Sequence, residues 1–345
     1  MMRIAVIRAL QLGDVLCAVP ALRSLRARYR DAQITLIGLP WAHELIRLLP
    51  RYVDAVEEFP GFPGIPEAQF DARRTQAFLS RLQAQPFDLA LQLHGSGSHI
   101  NEFTLLLGAR CTAVFYRDGD ATPENGVTVP WPTSGSEAQR LLVLPLALGC
   151  PDTGLALDLD VPDADYVALR ALVGGALAPR SYVCIHPGAR FPSRRWMPER
   201  FAAIADELAG RGFTAVLTGT VSETPLTAAV REAMRGPSVD LTGALTLGAL
   251  AALVKDAALV VCNDTGMSHV AAAVATPSVV VASGSDVARW APDDAQHHRV
   301  LWHDVPCRPC MHLTCPTQHE CAAGVSVGHV LAAAEQMLER EVVHV

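Results

Sequence analysis

Five short stretches of the 345-residue sequence carry side chains that could act on a ligand. The first is Gln11-Leu12-Gly13-Asp14-Val15, directly after the β-branched run Arg3–Arg8. Gly13 would permit a tight turn with positive φ. Asp14 would then open a helix, as its N-cap, as a general base at the mouth of a cleft, or as both. The stretch is not a G-x-G-x-x-G fingerprint, which argues against a nicotinamide or flavin site. The second is Ile185-His186-Pro187-Gly188-Ala189-Arg190, followed by Ser193-Arg194-Arg195-Trp196. Gly188 would let backbone approach an anion, and arginine offers a planar fork that matches phosphate oxygens. The plain alternative is a solvated basic loop ahead of an amphipathic helix. The third is Asn263-Asp264-Thr265-Gly266-Met267-Ser268-His269, between an apolar run and an Ala/Val-rich helix. Exposed N–H groups and the positive end of the helix dipole would attract an anion there, with the hydroxyls of Thr265 and Ser268 as added donors. Asp264 would have to orient loop N–H groups or pair with an arginine so as not to repel phosphate; otherwise the stretch is a cap on a core helix.

The fourth is Thr218-Gly219-Thr220-Val221-Ser222-Glu223. Glu223 could accept hydrogen bonds from ribose hydroxyls or serve as a helix-start carboxylate. The fifth is Cys307-x2-Cys310-x4-Cys315-x5-Cys321. Four thiolates could make a tetrahedral, structural zinc site. The spacing is not that of a standard zinc ribbon, and His312 and His319 complicate the ligand set. The alternative is reduced thiols in a loop broken by Pro306, Pro309 and Pro316.

Elements that would position these stretches follow from periodicity. Short β-branched runs at Arg3–Arg8, Gln33–Gly38, Phe87–Leu93 and Cys111–Tyr116 read as strands, and Val15–Tyr29, Trp41–Leu49 and Glu137–Leu148 as helices. Pro20 should bend the first helix or mark its true start. The proline-broken segment Phe59–Gln69 reads as a loop. After a Pro/Asp/Gly-rich stretch from Pro151 to Asp165 the alternation restarts, with strands at Ser181–His186, Phe213–Thr218, Val239–Thr242, Ala258–Cys262 and Pro277–Ala282. Helices are expected at Pro198–Gly210, Glu223–Met234 and Ser326–Glu341, the last free to pack back on the first half. Two such series predict two α/β domains with doubly wound parallel sheets, residues 1–160 and 161–345. Loops at the carboxyl ends of strands are where ligands should bind.

Half of the residues are apolar and 18% are charged, an ordinary globular composition, and the formal charge of −7 excludes the basic footprint of a nucleic-acid binder. Arg190, Arg194, Arg195 and Arg200 form a local basic cluster against that background, and Lys255 is the only lysine. No run is apolar and long enough to span a membrane or to act as a signal peptide, and nine cysteines without a secretion signal imply a reducing, cytoplasmic setting.

Taken together, Gly13-Asp14-Val15-Leu16 with Pro20-Ala21-Leu22, His186-Pro187-Gly188-Ala189 with Arg195-Trp196, and Asp264-Thr265-Gly266-Met267-Ser268-His269 with Ala271-Ala272-Ala273 resemble the bacterial lipopolysaccharide heptosyltransferases, over nearly the whole chain. The cysteine-rich tail also resembles that of relatives. The resemblance implies a GT-B fold, two Rossmann-like domains facing a cleft, with the acceptor on the N-terminal domain and the nucleotide sugar on the C-terminal one. It implies an inverting transfer, from ADP-heptose to a lipid-linked or oligosaccharide acceptor of the lipopolysaccharide core, without a catalytic metal or other cofactor. It matches Asp14 to the catalytic base. It places Arg194, or its neighbour Arg195, where relatives carry a lysine on the diphosphate. Thr265, Gly266 and His269 match the loop and helix start that hold the phosphates, His186, Gly188, Arg195, Asp264 and Met267 fall with them in the nucleotide-sugar site, and Glu223 matches a ribose acid more loosely. A monomer, with peripheral contact at the cytoplasmic face of the inner membrane, fits such an acceptor. The rivals are a sugar-nucleotide epimerase or hydrolase of the same architecture and a catalytically silent nucleotide-sugar-binding protein.

Overall fold

A computed structural model describes residues 1–343 as two compact units, Met1–Leu155 and the part that follows from Ala156. The division falls inside the stretch rich in proline, aspartate and glycine.

The first unit holds the strands β1 (Arg3–Ile7), β2 (Gln33–Gly38), β3 (Ala55–Glu58), β4 (Leu89–Gln92), β5 (Cys111–Tyr116) and β6 (Gly126–Pro130), and the helices α1 (Leu12–Leu16), α2 (Val19–Arg28), α3 (Ala42–Ile46), α4 (Ala72–Gln83), α5 (His99–Leu106) and α6 (Glu137–Ala147). The sheet is parallel throughout, in the order β3-β2-β1-β4-β5-β6. Strands buried on both faces need no alternation, and β1 and β4 accordingly read as continuous apolar runs. The helix expected across Val15–Tyr29 is two helices. Pro20 stands in the first turn of α2, where a missing N–H costs nothing.

The second unit begins with α7 (Asp163–Val173). It continues through the strands β7 (Tyr182–His186), β8 (Thr214–Leu217), β9 (Ser238–Asp240), β10 (Leu259–Asn263), β11 (Ser278–Val281) and β12 (His298–Leu301). Its other helices are α8 (Pro198–Ala209), α9 (Thr224–Ala233), α10 (Leu247–Asp256), α11 (Gly266–Ala273), α12 (Val287–Trp290), α13 (Glu320–Ala323) and α14 (Val327–Val343). The sheet is again parallel, in the order β12-β11-β10-β7-β8-β9. Both units are therefore doubly wound, as expected, with the chain reversing direction across the sheet beside β1 and beside β7. In the last helix, Val330, Ala333, Ala334 and Met337 of α14 are buried in the core formed by α8 and the second sheet. Among the described residues, no helix is long and apolar enough to cross a membrane.

His298, at the start of β12, is buried with Nδ1 2.9 Å from Ser278 Oγ. Burial pushes its pKa down from 6.5 to about 4, against the pull of nearby Asp294. As pH falls below about 6.5 the unfolded chain takes up a proton that the native state refuses, so stability is complete above that pH and drains toward pH 4, by up to about 3 kcal/mol. Urea midpoints taken at about pH 7 and about pH 5 should fall in the wild type and fall less in His298→Gln. An equal fall in both would assign the acid sensitivity to other groups.

Candidate active site

In doubly wound sheets the ligand site lies at the carboxyl edge, where the strand order reverses. In the second unit that position lies between β7 and β10. The loop after β7 carries His186 to Trp196, and the loop after β10 carries Asp264 to His269.

Asn263, fully buried at the end of β10, joins the two loops. Its Oδ1 accepts from the Trp196 backbone N–H at 2.9 Å, and its Nδ2 donates to the Pro187 carbonyl at 2.8 Å. Sequence reasoning placed Asn263 in a motif but gave it no role, because the two loops are more than sixty residues apart in the chain. Trp196 is fully buried, packs edge-on against Phe201 and donates its indole N–H to the Val325 carbonyl at 2.9 Å. The two loops are thus pinned from below as well as to each other.

Gly188 and Glu223 meet. A Cβ at position 188 would overlap the Glu223 carboxylate, so any side chain there would have to push that carboxylate aside. Glu223 Oε2 accepts from the Thr220 N–H at 2.8 Å and the Thr220 hydroxyl at 3.0 Å. The helix-start role weighed for Glu223 is real, and Oε1 is the oxygen turned toward Gly188. His186 is partly buried, with Nδ1 3.0 Å from Thr218 Oγ1. Burial holds its pKa below the ordinary histidine value, with the charge of Glu223 opposing. A neutral His186 beside an anionic ligand would act by hydrogen bonding rather than by charge.

The arginines divide their work. Arg195 donates through Nε to the Ala189 carbonyl at 3.0 Å and so braces the loop. Arg200 holds the Ala323 and Val325 carbonyls. Arg190 is exposed over the Phe191 ring. Arg194 spends Nη2 on the Cys310 carbonyl, while its Nη1 is buried without a hydrogen-bond partner. A buried donor left unpaired costs about 1–3 kcal/mol, and more when charged. Arg194 and Arg195 therefore differ in how far their donors are satisfied within the protein.

Helix α11 opens at Gly266 with Thr265 as its N-cap, and no side chain caps its first turn. Met267 and His269 face the interior, and the His269 ring meets Trp290 edge-on at 6.5 Å. The expected donor Ser268 is committed elsewhere: its hydroxyl gives its proton to the Thr265 carbonyl at 2.8 Å, and the residue is buried. Asp264 is partly exposed, and its backbone N–H joins the Val281 carbonyl at 3.0 Å.

In the first unit Asp14 lies at the carboxyl edge after β1. It is the third residue of α1 rather than its N-cap; its Oδ2 accepts from the Gln11 N–H at 3.1 Å. Gly13 is buried within α1, so the turn expected there is a turn of helix instead. Beneath Asp14 lies a feature with no clear sequence signal. Arg8 is fully buried and donates to the Asp14 and Leu93 carbonyls, and its Nη2 lies 3.1 Å from Glu137 Oε1 at the start of α6. Beside it, His94, two residues past the end of β4, accepts from the Ala9 N–H at 3.1 Å and stands 3.8 Å from Glu67 Oε2. Both residues were missed for want of any motif.

The four tail cysteines are free thiols, Cys307 exposed and Cys321 buried, and among the described residues no group of three or more His, Cys, Asp or Glu side chains is arranged to hold a metal. Their segment is instead a strap across the strand ends. Cys310 N–H donates to the Gly284 carbonyl at 2.8 Å, Ser193 N–H to the Leu313 carbonyl at 3.2 Å, and His319 Nε2 lies 2.9 Å from the Ser193 carbonyl.

Residues 137–320 match the model of glycosyltransferase family 9 (heptosyltransferase). A lipopolysaccharide heptosyltransferase 3 of Escherichia coli is 27% identical over 292 residues, 81% of this chain and 83% of the relative. Among solved structures, a family 9 glycosyl transferase from Veillonella parvula superposes with a TM-score of 0.81 at 22% identity, covering 98% of this chain and 97% of its own. An Escherichia coli ADP-heptose lps heptosyltransferase II superposes with a TM-score of 0.78 at 19% identity, covering 99% of each chain. These superpositions show the fold, that of the GT-B enzymes, and the family match extends over more than half of the sequence. This chain belongs to glycosyltransferase family 9 and is a glycosyltransferase.

Proposed function

We propose that the enzyme moves a heptose from ADP-heptose to a lipopolysaccharide-core acceptor, with inversion at the anomeric carbon. The observation that carries this reading is the convergence at the β7–β10 reversal. There the bare backbone of Gly188, the carboxylate of Glu223, the unpaired Nη1 of Arg194 and the uncapped first turn of α11 supply what a ribose and a diphosphate need. The names of the relatives point the same way, to lipopolysaccharide and to ADP-heptose.

In this reading Asp14 takes the proton from the acceptor hydroxyl as its oxygen attacks the anomeric carbon and the bond to the diphosphate breaks. The departing ADP gains negative charge, which Arg194 and the N–H groups of Thr265 to His269 stabilise. That cationic and dipolar set supplies the role a magnesium ion plays in other transferases, so the reading includes no cofactor.

The test is incubation with ADP-heptose labelled in the sugar, with and without lipopolysaccharide truncated in its inner core. Label should pass to the acceptor and stay on the nucleotide when acceptor is omitted. Rapid release of free or isomerised sugar without acceptor would make the enzyme a hydrolase or epimerase instead. In the same preparation Arg194→Ala should weaken ADP binding about tenfold or more, as expected of a lost charge-assisted hydrogen bond. Titration calorimetry showing no change would remove Arg194 from the diphosphate.

A further inference from the structure

The strap across the strand ends of the second sheet brings two thiols to one place. Gly284, in the loop after β11, holds a left-handed backbone with φ of +66°, a conformation that favours glycine. A Cβ built there would meet Cys310 Sγ at 3.0 Å and Cys321 Sγ at 4.0 Å. The sum of those two distances is the most by which the sulfurs can be apart. Because Gly284 has no side chain, the space that both sulfurs border stays clear. Both cysteines are free thiols, Cys310 half-buried and Cys321 buried at the second residue of α13.

The same strap fixes the backbone on which Arg194 stands. Cys310 donates its N–H to the Gly284 carbonyl at 2.8 Å, and its own carbonyl accepts from Arg194 Nη2. Ser193 gives its N–H to the Leu313 carbonyl at 3.2 Å and its hydroxyl proton to the His312 carbonyl at 2.5 Å. A change in the path of the strap is therefore felt at the guanidinium.

We infer that Cys310 and Cys321 are a redox-modification site, at which a reversible disulfide draws the strap away from Arg194 and weakens binding of the donor's diphosphate. The coupling to the diphosphate rests on the role proposed above for Arg194. The oxidant is a small-molecule disulfide, oxidised glutathione. The Cys310 thiolate attacks one of its sulfurs, the S–S bond breaks, and one glutathione leaves with the proton that Cys310 gave up. The Cys321 thiolate then attacks the Cys310 sulfur of the mixed disulfide and expels the second glutathione, which takes the proton of Cys321. The two cysteines lose two electrons and the glutathione disulfide gains them. Burial pushes the pKa of Cys321 above the ordinary thiol value, which suits it to the second, intramolecular attack. Closure must bring the sulfurs to about 2.05 Å. Ala322, next to Cys321, is buried in the core of the second unit, so the irregular strap at Cys310 is the side that gives. In a reducing compartment such a bond is transient and sensing rather than structural. Cys315 is the competitor for the first attack: its Sγ lies 3.4 Å from Thr317 Oγ1, and that hydrogen bond holds its pKa below the ordinary thiol value.

The experiment exposes the full chain to oxidised glutathione, alkylates the remaining thiols and maps the bonds by mass spectrometry of non-reduced peptides. ADP is titrated calorimetrically into reduced, oxidised and dithiothreitol-recovered protein. A cross-link between Cys310 and Cys321 is expected, with ADP affinity about tenfold lower in the oxidised protein and restored by dithiothreitol. Cys310→Ser and Cys321→Ala should each bind ADP equally before and after the oxidant, while Cys307→Ser should respond as the wild type does. In Arg194→Ala the bond should form without further loss of affinity. No cross-link, a cross-link confined to another pair, or glutathione retained on Cys315 alone overturns the site. A cross-link that leaves ADP affinity within about twofold, or a further loss in Arg194→Ala, overturns the coupling to Arg194. A reduced wild type that binds no ADP overturns the donor reading instead, and the map of bonds still decides the thiol pair.

Discussion

Asp14→Asn is expected to lower turnover about a thousandfold, within the 10²–10⁴ range that a general base contributes, and to leave ADP affinity within about twofold of wild type. The asparagine side chain keeps an oxygen for the Gln11 N–H, so the short helix α1 retains its start. The charge lost at the third position of that helix removes only about 0.3–1 kcal/mol of interaction with the helix dipole. That is too little to unfold a unit whose floor is buried, so the deficit should fall on chemistry. The ADP-binding groups proposed here all belong to the second unit, which explains why affinity should survive. Single-turnover rates with saturating ADP-heptose and acceptor are the measurement. A variant that turns over within tenfold of wild type would falsify the assignment of Asp14 as base.

The second large effect is structural. Arg8 and Glu137 form an ion pair with side chains 0% and 2% exposed. Removing one partner takes from the other its buried counter-charge, at a cost of about 3–5 kcal/mol. Arg8→Met should therefore lower the melting temperature of the first unit by roughly 10 °C, taking about 2–4 °C per kcal/mol for a unit of this size. Glu137→Gln should act in the same direction. The double variant Arg8→Met with Glu137→Leu should regain most of the loss, since replacing both partners by apolar groups can be nearly neutral. Arg8 also holds the Asp14 and Leu93 carbonyls, so the double variant should remain slower than wild type even where it is equally stable. Single variants that melt with the wild type would show that the pair is inessential to stability.

The architecture was legible because parallel sheets covered on both faces leave a coarse signature, apolar runs alternating with amphipathic helices. Its weakest members escaped. Strand β3 is only Ala-Val-Glu-Glu, and edge strand β6, Gly-Val-Thr-Val-Pro, alternates between exposed and half-buried residues. Helix α4 buries only Thr75, Phe78 and Leu82, a stripe too narrow to stand out among its arginines and glutamines. At the site, Asp14, Gly188, Glu223 and Arg194 were visible as residue types beside strand ends. Which oxygen of Glu223 faces Gly188, and which arginine keeps an unpaired N–H, are properties of packing that no linear pattern contains. Arg8 and Glu137 read as ordinary polar residues at a strand end and a helix start; only the fold, which brings together positions more than a hundred residues apart, makes them a pair. The spacing of the tail cysteines did not reveal how they are placed: the sulfurs of Cys310 and Cys321 both approach Gly284, while the backbone of their segment straps the strand ends.

The fit of the Glu223 carboxylate over Gly188 has a consequence for substitution at 188. A side chain at 188 would push the end of the flexible Glu223 side chain aside. An alanine there would therefore re-aim the carboxylate rather than break the fold, and where that carboxylate serves as the proposed ribose acceptor, the change would surface in ligand affinity and not in stability.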